Sequence, residues 1–309
     1  MLYFLPPSLK GILSILLYTL NTISLTIPLI LISFFKFIIP VREFVVILDR
    51  ILISIATLWI GINSFNSRLF CNIEWDIRGL EKLEKKEWYL IISNHQSWVD
   101  ILALQTILNK KIPMLKFFLK KELIWVPFLG LAWWALDFPY MKRYSKKLLN
   151  QKPHLRGKDL ESTKKACKKF KHTPVSIMNF VEGTRFTPYK KESQNNHLTH
   201  LLNPKAGGIA FVLGSMGEYL HKIIDVTIVY PDKTPTFWEY ISGRTHKIII
   251  DFQVIPVTDS LTGDYFNDLE YKNRFFIWLK ELWRKKDEKI KNYLKQTIKL
   301  HGKKFLEIL

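Results

Sequence analysis

Cysteine is nearly missing from this sequence: Cys71 and Cys167 are the only two in 309 residues. That excludes a disulfide framework and a cysteine-based zinc site, and it suits a reducing compartment. Acidic residues are also scarce beside basic ones, 27 against 46, which leaves a formal net charge of +19. Such an imbalance points to an anionic partner: nucleic acid, a membrane surface or a phosphorylated substrate. No Walker loop and no dinucleotide fingerprint is written anywhere. Internal repeats and low-complexity tracts are missing too, and with 48% hydrophobic residues the chain is not a disordered one. Its length allows one large domain or two small ones, with ample sequence for a buried core.

What is present first is a long uncharged run. Residues 11 to 35 read "GILSILLYTLNTISLTIPLILISFF", bracketed by Lys10 and Lys36. The run is long enough to cross a hydrocarbon core of roughly 30 Å. It is too long for an ordinary signal peptide and lacks the small-residue cleavage site of one. A second apolar stretch, 44 to 65, is interrupted by Asp49 and Arg50. Adjacent charges in mid-span are expensive in lipid, so this stretch reads as an interfacial or half-buried helix, with a second crossing as the alternative. No later apolar run is long enough to span. The chain thus divides into membrane-anchoring helices at 1–66 and a domain at 67–309. The excess of Lys and Arg after residue 36 puts that domain on the cytoplasmic side.

Within the domain, apolar runs of strand length alternate with helical patterns. "WYLIIS" (88–93), "VSIMNFV" (175–181), "IIDVTIVY" (223–230) and "HKIIIDFQVIPV" (246–257) read as strands. "VDILALQTIL" (99–108) and "KDLESTKKACKKF" (158–170) have helical spacing, and a long helix starts near 271 with Phe275, Trp278, Leu279, Leu282 and Trp283. This alternation predicts an α/β fold, a mixed central sheet flanked by helices. The polar segment 186 to 200, "FTPYKKESQNNHLTH", reads as a mobile loop.

Two short motifs stand at strand exits, where sites form in α/β sheets. In "NHQSWVD" (94–100), Ser97 and Asp100 have capping-box spacing, so Asp100 could serve only the backbone of a helix start. Alternatively, His95 takes up a proton near pH 7 while Asp100 fixes its tautomer. In "FVEGTRF" (180–186), Gly183 permits a tight turn. Arg185 can clamp a phosphate bidentately, and Glu182 can orient a donor; the bland reading is a structural Glu–Arg turn. His197 and His200 in "HLTH" lack a clear third partner for a metal.

Taken together the motifs are specific. Asn-His with an Asp after four intervening residues, then a Phe-x-Glu-Gly-Thr-Arg about ninety residues on, resembles the glycerolipid acyltransferase family, that of the 1-acylglycerol-3-phosphate acyltransferases. "FLKKELIWVPFLG" (118–130), "DFPYMKR" (137–143) and "LLNPKAGGIA" (201–210) look like further segments of that family. The "EGTRFT" and "DVTIVYPD" stretches look closest to a subgroup shared by a bacterial inner-membrane acyltransferase and some eukaryotic lysophospholipid acyltransferases. One departure is "TIVYP" at 227–231, where many relatives carry a Val-Pro-type segment.

The resemblance implies that His95 is a general base and Asp100 its partner. It implies that Lys120, Arg143 and Arg185 hold the acceptor phosphate, and that Glu182, Gly183, Thr184 and Lys205 belong to the acceptor site. The implied reaction moves a fatty acyl chain from acyl-CoA or acyl carrier protein to 1-acylglycerol-3-phosphate, or to another lysophospholipid, with no metal or organic cofactor. Membrane lipids are the implied surroundings, in a bacterial inner membrane. A basic nucleic-acid binder is the rival from another class, but no basic segment interleaves with aromatics as such a binder needs, so nucleic acid is not an expected partner.

Overall fold

The computed structural model describes residues 1–39, 41–141, 170, 173–217, 219–265 and 267–306. Eight strands are formed there: β1 (Glu74–Arg78), β2 (Tyr89–Ser93), β3 (Leu115–Phe117), β4 (Leu119–Lys120), β5 (Tyr140–Met141), β6 (Ser176–Phe180), β7 (Lys222–Val229) and β8 (Lys247–Pro256). Six make one sheet in the order β1-β8-β7-β2-β6-β3, and β4 and β5 form a separate parallel pair. Strands β3, β6, β2 and β7 run parallel, while β8 runs antiparallel to β7. The expected mixed α/β sheet is therefore present. The expected helix at 158–170 falls outside the described residues, apart from buried Phe170.

Side chains of a strand alternate between faces, and here they feed two separate cores. Tyr89 and Ile91 of β2 join Val226 and Ile228 of β7 on one face; Leu90, Ile92, Ile223 and Val229 point to the other. Because both faces are covered, all five residues of β2 are buried. The first face is covered by α1 (Pro7–Ile38), α2 (Arg42–Phe70), α3 (Val99–Leu108) and α4 (Leu129–Ala135). The second is covered by α6 (Ala206–Met216) and the long α8 (Leu269–Leu306), which seats Tyr271, Phe275, Leu279 and Trp283. Two one-turn helices, α5 (Pro188–Glu192) and α7 (Phe237–Ile241), lie in the connections.

Helices α1 and α2 are antiparallel and joined by polar contacts. Tyr18 Oη is 2.9 Å from Ser67 Oγ, Asn21 Nδ2 donates to Asn63 Oδ1 at 2.8 Å, and Lys36 Nζ lies 2.7 Å from Asp49. The charged pair in mid-stretch does not break α2, because Asp49 is paired with Lys36. Both helices are long and apolar enough to cross a membrane, by length and composition. Their placement is informative. α1 touches the α/β domain from Gly11, against Trp238, through Tyr18, against Phe237, and Leu29, near Ala132, to Lys36, which pairs with Asp137. At 1.5 Å rise per residue these contacts extend along about 38 Å of helix. The pair lies along the domain and does not project from it.

The segment 186–200, expected to be mobile, is tied down. The Thr187 hydroxyl caps α5 by accepting from Lys190 N, and Asn196 Nδ2 donates to Leu201 O at 2.7 Å. Thr199 N and His200 N donate to the two carboxylate oxygens of Asp287 at 2.8 and 2.7 Å. A buried carboxylate on α8 collects backbone donors of this polar loop.

The neighbour of Asp287 on α8 is buried as well. Lys286 Nζ lies 2.6 Å from Asp225 Oδ1 of β7 and donates to Val226 O. Burial pushes its ammonium below the ordinary lysine range, and Asp225 opposes that. Breaking such a pair leaves an uncompensated charge in the interior. Lys286→Ala is expected to destabilise the fold by about 3–5 kcal/mol. Replacing Asp225 as well, by Asn, should recover part of that loss. Denaturant midpoints of the two variants in detergent check this; equal midpoints for Lys286→Ala and wild type would refute it.

Candidate active site

The main chain leaves the sheet at Asn94, whose side chain continues the ladder in its place. Its Nδ2 donates to Ile228 O and its Oδ1 accepts from Ile228 N, both at 2.9 Å. Residues 95–98 are thereby free to turn above the carboxyl ends of β2, β6 and β7. The backbone of His95 is then held at both ends. Its N–H donates to Glu182 Oε1 at 3.0 Å, and its carbonyl accepts from Phe186 N at 2.8 Å. The imidazole stacks on Phe180 with ring centroids 3.9 Å apart and planes 15° from parallel.

His95 Nδ1 lies 2.8 Å from Asp100 Oδ2. The same oxygen accepts from Gln96 N at 2.6 Å and Ser97 N at 3.0 Å, and Tyr230 Oη donates to Asp100 Oδ1 at 2.6 Å. Asp100 is fully buried, yet these donors satisfy it as an anion. An acceptor facing Nδ1 assigns the imidazole proton there and leaves the Nε2 lone pair available. The Tyr230 phenol ionises well above its ordinary range, through burial and then the Asp100 charge, so it remains a donor. The two sequence readings of "NHQSWVD" coincide: Asp100 binds the backbone at a helix start and the imidazole at once. The capping-box pair is met in part: Asp100 Oδ2 accepts from Ser97 N, and Ser97 Oγ accepts from Val99 N at 3.2 Å, one residue short of the strict motif, while donating to Pro235 O.

Glu182 is also fully buried, and both its oxygens are occupied. Oε1 accepts from His95 N and Oε2 from Leu202 N, each at 3.0 Å. It brackets two loops; no oxygen is left over for a substrate. Burial pushes its carboxyl up to about 8, opposed by the two backbone N–H groups and by Lys286. Gly183 turns the chain at φ +69°, and a Cβ there would come within 3.1 Å of the Lys205 side chain. Thr184 Oγ1 accepts from Lys190 Nζ at 2.8 Å. Arg185 is exposed, its guanidinium 4.7 Å from the Trp98 ring centroid. Lys205 is the residue preceding α6, and its N–H donates to Val181 O.

The structure thus brings His95, Asp100, Glu182, Gly183, Thr184, Arg185 and Lys205 to one edge of the sheet. Lys120 stands exposed on β4, and among the described residues no contact joins it to this cluster. Arg143 lies outside the described residues. Sequence reasoning missed Tyr230, Asn94, Phe180 and Lys190. For Tyr230 the available signal was its place one residue beyond an apolar strand, in the segment that departs from the family pattern.

A family model for acyltransferases matches residues 74–230, just over half the chain and every residue of the cluster up to Tyr230. The chain belongs to the acyltransferase family. It is 26% identical over 218 residues to 1-acyl-sn-glycerol-3-phosphate acyltransferase 3 of Arabidopsis thaliana, covering 64% of this chain and 54% of that protein. It is 23% identical over 231 residues to the human 1-acyl-sn-glycerol-3-phosphate acyltransferase delta, covering 70% and 56%. This acyltransferase chain therefore spans about half the length of the curated relatives it matches. Among solved structures it is similar to the 1-acyl-sn-glycerophosphate (LPA) acyltransferase PlsC of Thermotoga maritima, with a TM-score of 0.49 and 16% identity, covering 91% of this chain and 98% of that one.

Two outcomes follow from the buried carboxylates. Tyr230→Phe takes the phenol donor away from Oδ1 of a fully buried carboxylate. The variant should lose about 1–3 kcal/mol of stability, read from denaturant midpoints in detergent; a midpoint equal to that of wild type would show this hydrogen bond to be dispensable. For Glu182, the folded carboxyl at about 8 lies above the ordinary 4.5. Between those values the folded state binds more protons than the unfolded one, so this group's contribution is fully present below about pH 4.5 and declines as pH rises through about 8. The stability difference between wild type and Glu182→Gln should therefore shrink or reverse on going from about pH 5 to about pH 9, read from thermal melts; a difference independent of pH contradicts it.

Proposed function

We propose that this chain is a membrane-bound O-acyltransferase. It transfers a fatty acyl group from a thioester, acyl-CoA or acyl carrier protein, to the free hydroxyl of 1-acylglycerol-3-phosphate, giving phosphatidic acid. The observation that carries the reading is the His95–Asp100 pair with Nε2 available, beside an exposed guanidinium at Arg185. The acceptor oxygen attacks the thioester carbonyl carbon as His95 Nε2 takes its proton. The resulting imidazolium is steadied by Asp100, whose charge Tyr230 and two backbone N–H groups hold in place. The tetrahedral intermediate then collapses, the carbon–sulfur bond breaks, and the leaving sulfur receives the proton from His95. No enzyme-linked intermediate is needed. Arg185, with Lys205 and Lys190 nearby on the same strand-end loop, supplies cations for the acceptor phosphate and so positions its hydroxyl.

The same reading sets α1 and α2 in the plane of one leaflet. A perpendicular crossing would carry the domain through the hydrocarbon, because the contacts along α1 exceed the roughly 30 Å of a bilayer core. Lying flat, the pair presents its free apolar side to lipid and its other side to the domain. The domain then sits on the cytoplasmic face, in accord with its Lys and Arg excess.

Purified protein given lysophosphatidate and an acyl thioester should form phosphatidate, detected by lipid mass spectrometry. His95→Ala should lose at least about a hundredfold in turnover with the fold intact. Arg185→Ala should raise the acceptor KM roughly tenfold or more while donor KM changes little, since it loses a charge-assisted contact. Arg185→Lys should rescue only part of this, keeping the charge without the fork. Wild-type turnover in His95→Ala would sink the mechanism, and an unchanged acceptor KM in Arg185→Ala would remove that residue from the phosphate site.

A further inference from the structure

The segment between β4 and β5 carries a surface that acyl transfer leaves unused. The chain passes there through a short 3-10 turn, Lys121–Trp125, and α4. Four large apolar side chains stand outward at three-residue intervals: Trp125 is 85% exposed, Phe128 42%, Leu131 48% and Trp134 47%. The small residues among them, Gly130, Ala132 and Ala135, are the buried ones. This inverts the pattern of a helix on a soluble domain, which turns its large apolar residues inward.

Two observations say what covers this face. The first is continuity. Beneath it, Ala132 and Leu136 share a small apolar crevice with Leu29 of α1 and Ala56 and Ile60 of α2. Lys36 joins Asp137, just beyond α4, to Asp49 of α2. At this same end α1 exposes Leu31, Phe34, Phe35 and Ile38, and α2 exposes Ile47 and Ile51. Whatever solvent receives those side chains reaches the α4 face too. The second is composition. Two of the four residues are Trp, the residue enriched where apolar lipid meets headgroups. The exposed pair Lys120 and Lys121 precedes them, with Glu122 the single acid between.

We propose that residues 120–134 form a second membrane-insertion element, separate from the helix pair. Trp125, Phe128, Leu131 and Trp134 enter the interfacial layer of an anionic bilayer, and Lys120 and Lys121 meet headgroup phosphates. The inference rests on the membrane reading above and adds to it. A helix pair lying in the bilayer plane leaves the domain free to roll about the pair's axis; a second contact at its flank stops that rotation. The active-site edge then keeps a fixed tilt to the surface from which the acceptor is drawn.

The test uses the full chain in a Cys167→Ser background, where Cys71 is buried with its thiol donating to Tyr240 O. Trp125→Cys is labelled with an environment-sensitive fluorophore, and Lys285→Cys, exposed on α8 across the sheet, serves as control. Each protein is reconstituted on vesicles of phosphatidylglycerol and phosphatidylcholine carrying a lipid-borne quencher. Label at 125 should shift to the blue and be quenched, and label at 285 should stay in water. Trp125→Asp combined with Leu131→Asp should weaken vesicle association at least about tenfold, while turnover of a short-chain acceptor in detergent is kept. A water-exposed label at 125 on vesicle-bound protein overturns the inference and leaves the membrane reading standing. A wild-type chain that does not associate with vesicles overturns both. A label shielded without lipid, in a concentration-dependent way, assigns the face to a second copy of the chain and also overturns the inference. If the double variant loses its melting transition, the label at 125 decides alone.

Discussion

A buried negative charge at Asp100 is the constraint around which the site is arranged. An ionised carboxylate in the interior is tolerated only when it is paired and hydrogen-bonded. The donors come from an imidazole, two consecutive backbone N–H groups and a phenol just beyond the end of β7. The device recurs. Glu182 gathers the backbone donors of His95 and Leu202, and Asp287 those of Thr199 and His200. Three acids thus staple two loops, 94–98 and the one that holds residues 199–202, at one edge of the sheet. The rigid placement that proton transfer needs comes from these staples and not from regular structure, since residues 94–98 belong to no helix or strand.

The long-range polar contacts also explain what could be read in advance. Strands β2, β6, β7 and β8 and helix α3 announce themselves through local apolar patterning, and both strand-end motifs are contiguous in sequence. Their partnership is less local: Glu182 reaches His95 across 87 residues and Tyr230 reaches Asp100 across 130. Nothing in the neighbourhood of Tyr230 marks it as an Asp100 partner, and a single sequence carries no pairing information. The contacts of the loop at 186–200 were hidden for the same reason. Its composition is that of a flexible connection, and its order is imposed by Asp287 far along the chain. The charges at Asp49 and Arg50 marked the second stretch as an interfacial or half-buried helix; α2 is a helix there, but its ion pair with Lys36 could not be read from local sequence. Strands β1 and β3 were missed because neither has a clear apolar run.

Family membership and site geometry answer different questions. The matched span, 74–230, contains the pair and its bracket but none of α1, α2 or α8. Those three helices supply Lys286 and Asp287 behind the site and the apolar cover of the opposite face. The paired imidazole and carboxylate accordingly lie within the span shared with the family, while Lys286 and Asp287, which brace the strands and loop behind them, lie outside it.

The packing of α1 and α2 has a consequence for how the molecule is made. Leu29, Leu52 and Ala56 belong to the same core cluster as Tyr89 and Ile91 of the central strand. The helix pair is therefore one wall of the α/β core and not a detachable tether. A chain trimmed to its catalytic residues would leave one face of the sheet bare, an open apolar surface prone to association. The pair also precedes every strand in the chain, so it emerges first during synthesis. It then offers a ready apolar floor on which the later strands of the core can assemble.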